Sequence, residues 1–388
     1  MNQPIRKAFD GVIKVPRTVQ NAPFRGVTKG GAIMNFTNRI GAAAVTCFAV
    51  GTGAAWAQEM DTLNVLIANE RSTTFYGMHV ATELGYFEDE GLEINWLASA
   101  TTIPYVAFLS NGQADLVMFD SAQTMQAVDS GQPFTIIYED MQFAPEALYV
   151  AAESDVQEIA DLKGRTIGLV SDRDLAIARV ALESAGLTLD DVSTAVVGEG
   201  GPTLANAFRR NTVDAVAGGA TELNTIQSAG IEIRNITPPE VSENPANSFA
   251  IWNDRKEELR DPVERFLRAW SKGMEAGRLD IQMTAAIMSD AVPEQWQDLD
   301  VGYELANLSA YTLHEPMSEQ RGALHPHLWE RVQPSLLSVG EISQLHDVST
   351  FLDDSFIAAA NDYTMEELEA DVAAWIEANG DRYAAVAR

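Results

Sequence analysis

Two tripeptides, Asn69-Glu70-Arg71 and Ser171-Asp172-Arg173, each set an arginine directly behind an acid. A guanidinium presents a planar fork of N–H donors that fits an oxyanion with two parallel bonds. Arg71 and Arg173 are therefore candidates to clamp an anionic group from two sides. The competing use is local, Arg71 pairing with Glu70 and Arg173 with Asp172 as exposed ion pairs. Thr101 and Thr102 precede Ile103-Pro104, and Ser121 precedes a helical stretch. Hydroxyls and free N–H groups at helix starts hold anions, and they serve equally well as caps for their own helices. If the acids face the bound molecule instead, a cationic or zwitterionic solute fits, with Asp120 placed for an amine.

Other chemistries find no support in the residues. There is no G-x-S-x-G elbow for a serine nucleophile. His314, His325 and His327 lie close in sequence, but their spacing is that of neither a structural zinc site nor H-E-x-x-H, so no metal is expected. Gly198-Glu199-Gly200-Gly201 lacks the Lys-Ser/Thr of a phosphate loop and the spacing of a dinucleotide turn. It reads as a cleft loop, and no cofactor is expected.

Residues 1–39 carry seven Lys/Arg against the single Asp10, and Ile40 to Ala55 is apolar up to Ala55-Trp56-Ala57. A basic start, a short apolar run and an A-x-A site predict a secretory signal peptide over 1–57, cleaved after Ala57, with Met34 as an alternative start. The apolar run is short of the roughly 20 residues of a spanning helix. With no Arg-Arg pair ahead of the apolar run, the general export route and a periplasmic destination are expected. Cys47, the one cysteine, lies within the leader without a small residue before it, which speaks against a lipid anchor. The mature chain then has no thiol for a disulfide, a nucleophile or a metal. Taking the leader's charges from the 26 basic and 56 acidic residues leaves 19 and 55, a net charge near −36. Nucleic acid and anionic membrane surfaces are disfavoured as partners, and dispersed acids on this scale favour solubility.

The elements that must position these side chains follow from periodicity. Leu63 to Ala68 is a nearly continuous apolar run, the mark of a strand covered on both faces. In "LGYFEDEGLEINW", Leu84 to Trp96, Gly85 ends a helix and Gly91 turns the chain into an alternating strand. The same grammar predicts a helix from about Pro104 to Asn111, strand 116–119, a helix from Ser121 and strand 134–138. A second α/β series runs through strand 166–170, helix 176–185, strand 194–197, helix 204–210 and strand 213–216. No close repeat links the two series. Leu148-Tyr149-Val150-Ala151 and the proline-rich stretch 236–247 read as two crossings between lobes. The expectation is lobe 1 over 58–150 plus 248–388, and lobe 2 over 151–247. Asp261-Pro262-Val263-Glu264 reads as a capped helix start, followed by one apolar face at Val263, Phe266, Leu267 and Trp270. The remaining segments, including Met365 to Asn379, read as amphipathic cladding. Two lobes joined by two crossings leave a cleft at the carboxyl ends of their strands.

Five stretches carry a family resemblance in this order and spacing: "HVATELGYFEDEGLEI", "FLSNGQADLVMFD", "IADLKGRTIGLV", "ALESAGLTLDDV" and "NAFRRNTVDAV". Together they resemble the periplasmic substrate-binding proteins of ABC importers that handle sulfonates, taurine, nitrate and the thiamine pyrimidine precursor. The resemblance implies a type II two-lobed periplasmic-binding-protein fold with a helical C-terminal extension, a monomer, a small-molecule ligand, and permease and ATPase partners. Carried over residue by residue, its ligand loops fall on Asn69, Glu70, Arg71 and Phe75, on Ser99, Thr101 and Thr102, and on Asp120 and Ser121. In lobe 2 they fall on Ser171, Asp172 and Arg173, then Thr221 and Glu222. Relatives often have an aromatic residue where this chain has Asn69-Glu70-Arg71, a proline at Gly77 and a glycine at Asn211. The missing aromatic favours a sulfonate or taurine-like zwitterion over a flat pyrimidine. An exported enzyme or a sensor subunit on the same fold are the alternatives.

Overall fold

The computed structural model describes residues 60–388, apart from 69, 98–104, 143–145, 199–200, 220–225, 228, 239–240 and 242–243, and gives the backbone alone for 173, 201 and 202. The expected leader lies outside the described residues.

The first sheet contains β1 (Asp61–Leu66), β2 (Leu92–Leu97), β3 (Leu116–Phe119), β4 (Phe134–Glu139) and β10 (Ser248–Trp252), in the order β2-β1-β3-β10-β4. Strands β1, β2 and β3 are parallel, and β10 lies antiparallel between β3 and β4. The second sheet repeats the plan with β5 (Ala147–Ala151), β6 (Thr166–Leu169), β7 (Ser193–Val196), β8 (Ala215–Gly218) and β9 (Ile233–Asn235), in the order β7-β6-β8-β5-β9. Here β5 is antiparallel to β8 and β9. Leu148 to Ala151 is thus a strand of the second sheet and not a crossing. The chain crosses between Glu139 and Ala147 and returns between Asn235 and Ser248.

The connections are helical: α1 (Tyr76–Glu83) and the single turn α2 (Tyr86–Asp89) after β1, α3 (Val106–Ser110) after β2, and α4 (Ser121–Asp129) after β3. In the second lobe α5 (Leu175–Ser184) follows β6 and α6 (Gly201–Arg209) follows β7. Gly85 and Gly91 both have positive φ, as their turn roles require. Asn211 has φ 52°, so the position keeps the left-handed backbone that suits glycine, and asparagine tolerates it better than most side chains.

Each sheet has an equivalent structural aspartate, buried in the first and half-buried in the second. Asp115, just before β3, accepts the Asn64 N–H of β1 at 2.7 Å and pairs with Arg255. Asp214, just before β8, accepts the Thr166 N–H of β6 at 2.8 Å and pairs with Arg165 at 3.3 Å. These two acids sit inside "GQADLV" and "NTVDAV", so part of the family pattern encodes strand anchoring.

The tail consists of α7 (Arg260–Leu279), α8 (Ile281–Ala291), α9 (Leu299–Leu308), α10 (Pro326–Ser338), α11 (Ile357–Ala360), α12 (Met365–Ala378) and α13 (Gly380–Ala385). Val263, Phe266, Leu267 and Trp270 are fully buried in the core of the first lobe. There α7 crosses α1 so closely that a Cβ on Gly273 would meet the Gly77 carbonyl at 2.3 Å, and one on Gly77 the Met274 sulfur at 2.0 Å. That approach is a physical reason for glycine at position 77. Helix α7 starts two residues earlier than the reading with Asp261 as cap and Pro262 as first helical residue, and Asp261 instead binds Arg265 one turn on, at 2.8 Å.

Between the sheets a second core joins Val117 and Phe119 of the first with Leu148, Val150 and Ile167 of the second, through Trp329, Leu336, Ile342 and Phe351 of the tail. The tail also closes the edge of β4. Ile136 N–H donates to the Phe351 carbonyl at 2.8 Å and Glu139 N–H to that of Gly322 at 3.0 Å, satisfying groups that would otherwise invite another strand.

Candidate functional site

In both sheets the connections at the carboxyl ends of the parallel strands carry the expected ligand residues. Asn69, Ser99, Thr101, Thr102, Thr221 and Glu222 lie outside the described residues, as does the side chain of Arg173, and Glu199 and Gly200 of the expected cleft loop do too. The site is therefore built from the loop after β1, the start of α4 and the turn after β6.

The loop after β1 is held from behind by the helical tail. Arg71 makes a two-pronged contact with Glu294, with Nη2 2.7 and 2.9 Å from the two carboxylate oxygens and Nε 3.1 Å from one of them. The pairing expected with Glu70 is thus not the one these contacts make. Glu70 presents its backbone carbonyl to His79 Nε2 at 2.9 Å. Ser72 Oγ accepts the Thr74 N–H and starts the 3-10 turn Thr73–Phe75. Thr73 N–H donates to Gln295 Oε1 at 2.8 Å, and Thr73 Oγ1 accepts from Trp296 Nε1 at 3.0 Å. Phe75 points into the core of lobe 1 and is 3% exposed.

Asp120, and not Ser121, caps α4. Its carboxylate accepts the Gln123 N–H at 2.7 Å, and Gln123 Oε1 reaches back to the Asp120 N–H at 3.4 Å. Ser121 is the first helical residue and, like Asp120, half-buried. Ser171, at the end of β6, is buried, and its N–H and hydroxyl both donate to Asp174 Oδ2, at 2.7 and 2.9 Å. Asp172 is exposed on the 3-10 turn Asp172–Asp174.

The crossings form a two-stranded ribbon rooted in the first lobe. Asp140 and Met141 N–H groups both donate to the Asn247 carbonyl at 3.0 Å, and Ala246 N–H returns to the Met141 carbonyl at 3.0 Å. Glu139, Asp140 and Gln142 are buried against the tail. Glu139 accepts from His325 and Trp329, Asp140 from Trp270, and Gln142 from the Met317 N–H at 2.6 Å. His325 is thus engaged with a carboxylate, and among the described residues no group of His, Cys, Asp or Glu is arranged to hold a metal ion. Farther along, Glu341 accepts from Gln126 of α4 at 2.6 Å and pairs with Arg179 of α5, one partner from each lobe.

Sequence reading missed Glu294, Gln295 and Trp296 and weighed His314 only as a metal ligand, yet all four position the first loop. They lie more than 200 residues from it, and no local pattern marks them.

A model of the family described as NMT1/THI5 like matches residues 72–278, more than half of the chain. Among curated protein sequences none matches this chain significantly. Among solved structures, the periplasmic aliphatic sulphonate binding protein SsuA from Escherichia coli superposes with a TM-score of 0.57 at 16% identity, over 75% of this chain and 91% of that one. The alkanesulfonate-binding protein SsuA from Xanthomonas axonopodis pv. citri, bound to MOPS, gives 0.59 at 14% identity, over 76% and 99%. The desulfurization enzyme DSZB gives 0.54 at 14% identity, over 77% and 98%. The chain has the fold of these proteins, a two-lobed periplasmic-binding-protein fold with a helical C-terminal region.

Proposed function

We propose that this chain, which belongs to the NMT1/THI5-like family, is the solute-capturing component of an ABC importer and takes a small sulfonate or taurine-like zwitterion into the cleft between its lobes. In this reading it is exported, loses its leader after Ala57, works as a monomer in the periplasm and hands its ligand to a permease driven by an ATPase. The observation that carries the reading is the paired architecture: two sheets of one plan, strand ends carrying the candidate contacts, and a double crossing between them. That is the arrangement for closing two surfaces over a solute. Two proteins with this fold are named as sulfonate binders. The Arg71 guanidinium after β1 suits a sulfonate and the Asp120 carboxylate at the start of α4 suits an amine, a combination that favours a zwitterion over a flat heterocycle.

A thermal-shift screen of the chain from Gln58, with taurine, alkanesulfonates, nitrate, pyrimidines and aromatic acids, tests the reading. A ligand at 100 times its dissociation constant adds about 2.7 kcal/mol of stability. Selective stabilisation by sulfonates is the expected result, and stabilisation by pyrimidines alone would replace the ligand class. An enzymatic reading has one specific support, the desulfurization enzyme among the structural relatives. Recovering the sulfonate unchanged after prolonged incubation separates capture from turnover.

A further inference from the structure

We propose that His314 is a positioning residue for the cleft: acting with Asp140 as one proton-sharing unit, it fastens the end of the loop after β1 to the root of the first crossing. The functional part of this inference rests on the solute-capture reading, in which the loop contacts the ligand and the crossing carries the lobe movement.

His314 follows a π-helical turn, Ser309–Leu313, and is 1% exposed. Its Nε2 is 2.8 Å from the Thr74 carbonyl, and its Nδ1 is 3.1 Å from the Asp140 carbonyl and 3.4 Å from Asp140 Oδ2. The other Asp140 oxygen accepts from Trp270 Nε1 at 2.6 Å. A carbonyl only accepts, so Nε2 carries a proton. Nδ1 faces a carbonyl and a carboxyl, so it either carries a second proton or accepts one from Asp140. Both descriptions place the same two protons on the pair. Burial is the main influence on each partner, pushing the Asp140 carboxyl up and the His314 imidazole down. Geometry keeps both protons on the pair nonetheless, because each ring nitrogen lies within hydrogen-bond distance of a carbonyl oxygen, which only accepts.

Among the described residues, the charged and titratable groups around the pair are Arg321, Glu275, Tyr76 and Tyr138, and each has a hydrogen-bond partner of its own. Arg321 donates through Nη1 to the His314 carbonyl at 2.9 Å, and its charge is met by Glu275 at 2.6 Å. The Tyr76 ring stands edge-on to the imidazole at 5.9 Å, with its hydroxyl on the Met274 carbonyl at 3.0 Å. Tyr138 is engaged with Ser271 at 2.9 Å.

The consequence is a pH dependence with a defined sign. Above the ordinary histidine range the unfolded chain has a neutral imidazole and an ionised Asp140, one proton fewer than the folded pair. Stability is therefore lost as pH rises from about 6.5 until the pair itself gives up the shared proton. Asp140→Asn removes that proton, while its amide can still donate to Nδ1 and its carbonyl can still accept from Trp270. The unfolding equilibrium of the wild type, relative to this variant, should move toward unfolding about tenfold per pH unit in that window. His314→Gln keeps a donor for the Thr74 carbonyl and should preserve the tether without the pH dependence.

The test uses the chain from Gln58. Urea unfolding from pH 6 to 9 reads the proton. Hydrogen exchange of the 70–78 peptide, corrected for intrinsic rates, reads the tether without any ligand. The expected result is a peptide protected at pH 6 and labile at pH 9 in the wild type, with protection independent of pH in Asp140→Asn and His314→Gln. Taurine titrations over the same range should show wild-type affinity falling with pH and a flat profile in Asp140→Asn. Parallel pH slopes for wild type and Asp140→Asn, in stability and in exchange, would overturn the pair. If both differ as expected but taurine and ethanesulfonate do not bind the wild type, the tether stands and the solute reading is what fails.

Discussion

Glu139 is the last residue of β4, where the chain leaves the first sheet, and its side chain is fully buried. Oε1 accepts the His325 N–H at 2.8 Å and Trp329 Nε1 at 2.7 Å, and Oε2 lies 2.8 Å from His325 Nδ1. Glu139→Ala strands two buried donors, each costing about 1–3 kcal/mol, and leaves a void. Removing one member of such a buried polar set costs about 3–5 kcal/mol. Glu139→Gln keeps the shape and the shared acceptor oxygen, and its amide can donate to an unprotonated His325 Nδ1, so its cost should be about 1 kcal/mol. At roughly 2.1 cal/mol/K of unfolding entropy per residue, the chain from Gln58, about 330 residues, has a slope of about 0.7 kcal/mol/K. The alanine variant should melt about 4–7 °C below the wild type and the glutamine variant about 1–2 °C below it. Calorimetric melts at pH 7, with urea titrations as a second measure, decide the matter. Equal midpoints for the alanine and glutamine variants would show that the acceptor oxygen does not hold the crossing root in place.

Two further perturbations separate surface from interior. Both partners of the Arg71–Glu294 pair are about half exposed, at 57% and 46%, so Arg71→Ala should change stability by less than about 1 kcal/mol. If the clamp reading is right, the same variant lowers taurine affinity at least tenfold by isothermal titration, whereas unchanged affinity would assign Arg71 to loop anchoring alone. Burial opposes ionisation of Asp353, but Lys256 Nζ at 2.8 Å and the Ser355 N–H at 3.0 Å outweigh it and hold the carboxyl at about 2. A depressed carboxyl contributes stability above its unfolded value near 3.8, and that contribution is lost as pH falls from there toward 2. Lys256→Met should remove about 1–2 kcal/mol of it at pH 6 and flatten the acid limb of a melting series.

Signals carried within a few residues translated directly into structure. The apolar runs of β1, β3, β4 and β8 became buried strands, whereas β7 formed but is exposed; Gly85 and Gly91 turned where the pattern changed, and the Val263, Phe266, Leu267 and Trp270 face is buried. Signals depending on a partner elsewhere were misread. Leu148 to Ala151 lacks any local mark of being a strand of lobe 2, because its membership is set by hydrogen bonds to β8 and β9. Asp261 has the composition of a cap, yet the helix takes in Arg260 and turns Asp261 to Arg265. The candidate site divides in the same way. Among the described residues, strand ends and helix starts were legible because they are local features, and Asp120 was singled out although its cap on α4 was assigned to Ser121. What holds the loop after β1 was not legible: Glu294, Gln295, Trp296 and His314 reach it only because the tail folds back over the first lobe. Periodicity and turn chemistry act over one or two turns of chain and so specify elements. A buried hydrogen bond between residues 240 apart exists only once those elements have packed.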